Sequence, residues 1–432
     1  MAWPEYRQVY PMKILYIAHR IPYPPNKGDK IRAFHEVKAL AERAEVFLCA
    51  LVDDPEDWKH ESALRKFCSD VTLVPLRPYL KKILALQGFF TGKPMSVLYF
   101  YEKKLQEAVD RLLEEHDFDG IICFSGTSAE YVFKSKQASK LVAASCDRPR
   151  LIMDFCDVDS LKWREYAQRS NFLIGMIYRA EGQLLARFEA KTAQYFDNSI
   201  LITEHEKQLF SKHVLNTDKL MVVGNGVDTD YFKPVPDIAE EGPAPKKPPE
   251  MLFVGAMDYH ANIDGVCWFV EAVWPKITEQ YPEALFTIVG RNPTQKVLAL
   301  RKHRNIMVTG SVDDVRPYYQ RATIVIVPLR IARGIQNKVL EAMAMGKAVV
   351  VSRSAFTGLE VQPGRDLLVA DNELGFADCC NRLLGSPGLN SQLSVMSRKS
   401  VEVSYTWEKA MEVLATTLCI NRIHAKMVTR DC

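Results

Sequence analysis

The chain carries little that would tie it to a metal cluster, a disulfide framework, a nucleic acid or a membrane span. Its ten cysteines are scattered singly apart from Cys379-Cys380, and no Cys-x-x-Cys or His-x-x-x-His spacing occurs. That disfavours zinc ligation and a stapled scaffold, and it suits a reducing compartment. Net charge is only +3 over 432 residues, and no basic tract interleaves with aromatics, so nucleic acid is not an expected partner. No apolar run approaches the roughly 18–20 residues of a membrane span. No signal peptide is legible either, because the strand-length run Lys13–Ala18 meets His19, Arg20 and several prolines at once. Met12 offers an alternative start, with Met1–Pro11 as a disordered leader. These absences predict a cytoplasmic protein.

What is present describes a globular chain. Hydrophobic residues make up 47% and charged residues 25%, and the length suits two domains of roughly 200 residues. Short β-branched runs alternate with helical stretches throughout. In the first half they are Lys13–Ala18, Val46–Val52, Val71–Leu76, Gly120–Phe124, Leu151–Phe155 and Ser199–Ile202. In the second they are Met251–Gly255, Leu285–Gly290, Ile306–Thr309, Ala322–Pro328, Ala348–Ser352 and Asp366–Val369. Near-continuous apolar strands separated by helices predict two α/β, doubly wound parallel sheets, with ligands beyond the strands' carboxyl ends. Between the halves, Pro234–Glu250 holds six prolines and almost no core-forming residues, which reads as a linker stiffened by polyproline geometry.

The densest signal is Pro328–Val351. A strand ends at Pro328, a loop containing Gly334 follows, a helix is expected from about Ile335 to Met345, and Gly346 closes it. Such a loop aims a helix N-terminus, with its free N–H groups, past the carboxyl edge of a parallel sheet. Lys338 and Glu341 lie three residues apart and share one helix face. A cation and a carboxylate held there can grip a phosphate and a pair of sugar hydroxyls. The plainer alternative is an amphipathic helix carrying a solvated Lys–Glu pair. In the first half, the loop His19–Arg32 is rich in proline and offers Gly28 as a point of close backbone approach to a diphosphate. An ordinary surface loop is the alternative there.

The stretch Glu341-Ala-Met-Ala-Met-Gly-Lys-Ala-Val-Val350, with Asn225-Gly-Val-Asp228 and Phe232 before the linker, resembles the retaining group-1 glycosyltransferases (family 4, GT-B type). The likeness spans nearly all of residues 12–425. It implies a GT-B fold of two Rossmann-like domains facing across a cleft, at 12–225 and 251–404. Residues 226–250 would be the interdomain linker, and a helix at 405–425 would cross back to the first domain.

The resemblance implies a nucleoside-diphosphate sugar as co-substrate, with no cofactor and no metal. Glu341 matches the glutamate that holds the donor ribose. The family's second glutamate falls on Arg333, and its pyrophosphate-clamping arginine and lysine fall on Ala256 and Asn262, beside Gly255. Charge on the donor must then be met by Lys338, Arg330 or Arg333, with Lys338 preferred as the catalytic cation and Gly334 lining the loop. Where the family carries a sugar-orienting histidine, this chain has Cys156 or Asp157, so Asp157 becomes the carboxylate expected to assist the acceptor. His19 and Asp154 are expected on the acceptor side. Asp157-Val-Asp159 and Asp228-Thr-Asp230 also fit the Asp-x-Asp metal pattern of the other glycosyltransferase fold, a pattern common by chance. His19, His35, His116 and His205 have no evident carboxylate partner in sequence and read as core or surface residues rather than bases.

Within the family, His19–Arg32, Asp154–Trp163 and Pro328–Met345 resemble the transferases that accompany PEP-CTERM/exosortase systems in exopolysaccharide biosynthesis. Acceptors there are glycans or lipid-linked sugars. Residues 79–104 mix lysines with Ile, Leu, Phe and Tyr, and offer either peripheral contact with the inner face of the cell membrane or a core helix with snorkelling lysines. Two rival functions share the fold: a nucleotide-sugar epimerase, and a non-catalytic relative binding glycan or partner proteins.

Overall fold

The computed structural model describes residues 11–78, 81, 85, 88–143, 148–235, 248–332 and 334–428. The chain divides into two units, Met1–Val223 with Met411–Cys432, and Gly224–Ala410. The expected linker residues 236–247 and Arg333 lie outside the described residues.

The first unit holds β1 (Met12–Ala18), β2 (Ala44–Val52), β3 (Asp70–Pro75), β4 (Gly120–Phe124), β5 (Arg150–Cys156), β6 (Asn198–Leu201) and β7 (Leu220–Val222). They run parallel in the order β3-β2-β1-β4-β5-β6-β7. In β1, every residue from Ile14 to Ala18 is buried, because helices cover both faces of the sheet and neither face can be polar. The second unit holds β8 (Glu250–Val254), β9 (Leu285–Val289), β10 (Ile306–Gly310), β11 (Ile324–Val327), β12 (Ala348–Ser352) and β13 (Leu368–Ala370). These are parallel too, in the order β10-β9-β8-β11-β12-β13. Two doubly wound Rossmann-like sheets are thus the architecture, as expected. Each order reverses once, between β1 and β4 and between β8 and β11, and those are the crevices where ligands bind in such sheets.

Local chemistry sets the ends of the helix after β11. It runs Asn337–Ala344, two residues later than the sequence pattern suggests, because Gln336 keeps an extended backbone at its N-cap. Its other end closes with Gly346 N–H donating to Met343 O at 2.9 Å and Lys347 N–H to Ala342 O at 3.1 Å. That pairing needs a left-handed residue at Gly346, whose φ is +61°. Arg398 fastens this helix end to the preceding turn, donating to Ala344 O and to Phe232 O. Phe232 packs edge-on against Tyr319 at 6.2 Å. The final helix, Trp407–Val428, begins in the second unit and from Met411 belongs to the first. There Leu418 lies over Gly120, 3.3 Å from where a Cβ would stand.

In the segment 79–104 the described aromatics turn inward. Phe100 meets His19 at 5.0 Å and Tyr101 stacks on Tyr131 at 5.5 Å. Lys81 pairs with Glu102, and Lys93 with Glu130. Residues 79, 80, 82–84, 86 and 87 lie outside the described set.

Candidate active site

In the second unit the residues singled out from sequence converge on the crevice between β8 and β11. Gly255 follows β8 directly, and Asn262 sits in the first turn of the helix His260–Trp268. Asn262 is buried and donates through Nδ2 to Ala256 O at 2.8 Å, which leaves its Oδ1 to accept from Lys338 Nζ at 2.6 Å. The ammonium lies 5.0 Å from the centre of the Phe253 ring, and a Cβ on Gly255 would come within 3.2 Å of it. Lys338 is therefore held by one amide over bare backbone at the end of a strand. Burial lowers its pKa to about 8, with Glu341 pulling partly the other way. Glu341, one helix turn on, accepts from the Tyr319 hydroxyl at 3.0 Å. Its own pKa is raised by burial, against the Tyr319 hydrogen bond and the charge of Lys338.

The helix that carries both has no side-chain cap at its N-terminus, and Gly334 in the approaching loop is left-handed with φ +60°. Uncapped N–H groups, a lysine and a carboxylate thus share one corner of the sheet, able to meet an anion and a diol together. Arg330 is drawn away from that corner into a bidentate pair with Asp264. Two contributors carried no sequence signal at this site. Tyr319 reaches Glu341 from another helix. Gly290, at the end of β9, lies so close to the first loop that a Cβ there would stand 1.7 Å from Gly255 O.

In the first unit the crevice beside β1 holds a charged cluster. His19 is 7% exposed, edge-on to Phe100, with Nε2 3.4 Å from Asp29 Oδ2 and Nδ1 without a partner. Arg20 joins Asp29 at 2.7 Å and Asp53 at 2.8 Å. Burial by itself would raise the Asp29 carboxyl. The hydrogen bonds and charges of His19 and Arg20 outweigh it and hold Asp29 well below the usual carboxylate range. Gly28 is exposed and opens the helix Gly28–Ala41.

Asp157, just past β5, pairs with Lys162 at 2.8 Å, and the same ammonium meets Asp159 at 3.0 Å. Both carboxylates of this Asp-x-Asp are therefore bridged by one lysine. In the other, Asp228 caps a turn by accepting from the N–H groups of Asp230 and Tyr231. Asp154 departs from expectation. It has no exposed surface and accepts from Arg32 at 2.6 and 2.9 Å, so it cannot touch an acceptor. Arg32 also donates to Val223 O and pairs with Glu36, which accepts from Tyr16. This buried network, joining residues 122 positions apart, stiffens the floor of the crevice.

Comparison with known proteins bears on the family and the fold. Residues 248–386 match the family model described as glycosyl transferases group 1, so the second unit is a group 1 glycosyltransferase domain. Over 375 residues the chain is 20% identical to an uncharacterised 44.6 kDa protein in the cps region of Klebsiella pneumoniae, covering 84% of this chain and 89% of that one. It is 30% identical over 141 residues to the lipopolysaccharide core biosynthesis mannosyltransferase LpcC of Rhizobium leguminosarum bv. viciae, covering 30% of this chain and 39% of that one. Similar solved structures include Anabaena HepE in complex with UDP, with TM-score 0.65, 15% identity, and 94% and 99% of the two chains covered. Sucrose-phosphate synthase from Thermosynechococcus elongatus gives TM-score 0.67 at 17% identity, over 96% and 100%. The fold is that of the GT-B glycosyltransferases.

Proposed function

We propose that the protein moves a sugar from a nucleoside-diphosphate sugar to a glycan or lipid-linked acceptor, with retention of configuration, in exopolysaccharide assembly. The observation that carries this is the placement, one helix turn apart at the β8/β11 crevice, of Lys338 held by Asn262 and Glu341 held by Tyr319, inside the stretch that matches the family. The UDP complex of HepE supports a nucleotide ligand, and the cps-region and lipopolysaccharide relatives support a polysaccharide pathway. The PEP-CTERM assignment rests on resemblance in His19–Arg32, Asp154–Trp163 and Pro328–Met345.

Lys338 meets the diphosphate, and we assign its charge compensation to this ammonium rather than to a bound metal. Asn262 aims it, the uncapped helix end and Gly255 admit phosphate oxygens, and Glu341 takes the ribose hydroxyls with Tyr319 orienting it. In a front-face displacement the leaving diphosphate helps deprotonate the acceptor, so the protein contributes positioning and charge stabilisation. His19 and Asp157 serve the acceptor side. The setting is the cytoplasm.

Thermal unfolding with UDP, GDP, ADP and dTDP, each with and without chelator, tests the site. A nucleotide at about 100 times its dissociation constant adds roughly 2.7 kcal/mol, a shift of several degrees. One of them should stabilise the wild type regardless of chelator, and Glu341→Ala should weaken its binding by about 1.5–3 kcal/mol. An unchanged shift in that variant places the ribose elsewhere, and no shift from any nucleotide favours a non-catalytic relative.

A further inference from the structure

The helices Asp159–Arg169 and Phe172–Tyr195 form an antiparallel hairpin in the first unit. Its tip presents Phe172, Leu173, Ile174, Met176 and Ile177 at 78, 67, 41, 48 and 37% exposure. The tip is firmly built. A Cβ on Gly175 would stand 2.8 Å from Ala167 O, and one on Gly182 would stand 2.9 Å from Ser160 O, so the two backbones touch along the hairpin. Asn171 caps the second helix by accepting from Ile174 N–H at 3.1 Å. These side chains are thus held outward on a rigid support, which a core residue left over by chance would not be.

The hairpin's base is packed and only its tip is free. Gly182 faces Ser160, and Glu181, 1% exposed, accepts from the N–H groups of Met95 and Ser96. Beyond that anchor Phe172, Leu173, Ile174, Met176, Ile177 and Arg179 are exposed. Behind the apolar tip stands an aromatic collar. Trp163 packs on Tyr178 at 5.1 Å and on Tyr166 at 6.1 Å, and all three are half-exposed. Residues 168–180 contain Arg169 and Arg179 and no acid. Arg179 is exposed and has no carboxylate at ion-pair distance among the described residues.

We propose that this tip docks on an anionic lipid bilayer, with the apolar side chains among the acyl-chain ends, the aromatic collar at the headgroups and Arg179 on phosphate. Aromatic rings and an arginine behind an apolar point match the layering of a membrane interface. Arg179, exposed in a stretch of the tip without acids from 168 to 180, matches the negative surface of such a leaflet. A second protein fits less well, because the five side chains offer on the order of 500 Å², below the roughly 800 Å² per partner of a stable protein interface. No helix among the described residues is long and apolar enough to cross a membrane, so the contact is peripheral. The surface is distinct from segment 79–104, and the inference does not depend on the sugar-transfer reading.

The test is flotation of the full chain with phosphatidylcholine vesicles, with and without about 30% phosphatidylglycerol, for wild type, Phe172→Glu/Met176→Glu and Phe172→Ser/Met176→Ser. The wild type should float with the anionic vesicles and release in high salt, and both variants should partition at least about tenfold more weakly at unchanged melting temperature. The nucleotide shift should survive in both variants, which separates failure of this docking from failure of the donor site. Absence of binding to anionic vesicles, equal binding by wild type and variants, or a dimer that the substitutions dissociate would overturn the proposal.

Discussion

Under the proposed function, Lys338 would make donor binding depend on pH. Burial has lowered its pKa to about 8, below the roughly 10.4 of an exposed lysine. Between those values the unfolded chain holds a proton that the folded one has released, so this residue's contribution to folding stability rises with pH across that window. Donor binding runs the other way, because a diphosphate needs the ammonium. We expect nucleoside-diphosphate affinity to be flat below about pH 8 and to fall by about tenfold per unit above it, as measured by calorimetry. Lys338→Arg, always charged, should flatten that dependence. Lys338→Ala should cost about 3–4 kcal/mol in the transition state at neutral pH, a rate loss of roughly 10²–10³. Near-normal turnover in that variant would remove Lys338 from the mechanism.

At the scale of elements, two loop ends shape the proposed donor corner. Gly255 and Gly290 close β8 and β9 with their backbones in contact. Gly290→Ala should push them apart, destabilise the second unit by about 1–3 kcal/mol or more, and abolish the nucleotide-induced shift in melting. Most of this architecture is legible in the sequence, because strands covered on both faces read as unbroken apolar runs and Gly346 marks a helix end by its backbone requirement. β7 escapes because a three-residue edge strand has no periodicity. Asp154 is misread for a related reason. It lies in a strand that emerges at the crevice, and nothing local reveals that Arg32, on a distant helix, claims it first. Tyr319 and Glu341 are 22 residues apart on separate helices, so their pairing is a product of the sheet order and is invisible to spacing. Lys338, Asn262 and Glu341 were nameable because family-like motifs mark them, whereas the hydrogen bonds that aim them required the folded backbone.

Across the whole molecule, the first unit is built from both ends of the chain. Met411 and Leu414 are 3% and 1% exposed, and Leu414→Ala should lower the stability of the first unit by about 2–5 kcal/mol, seen as an earlier unfolding transition in calorimetry. The order of synthesis gives this arrangement a further consequence. Residues from Met411 onward leave the ribosome only after the entire second unit, Gly224–Ala410, has been made. At about 5–20 residues per second that is an interval of about 10–40 s. Throughout it, the nascent first unit stands with the surface around Gly120 uncovered, so its last packing step is timed by translation of the glycosyltransferase domain that separates the two pieces.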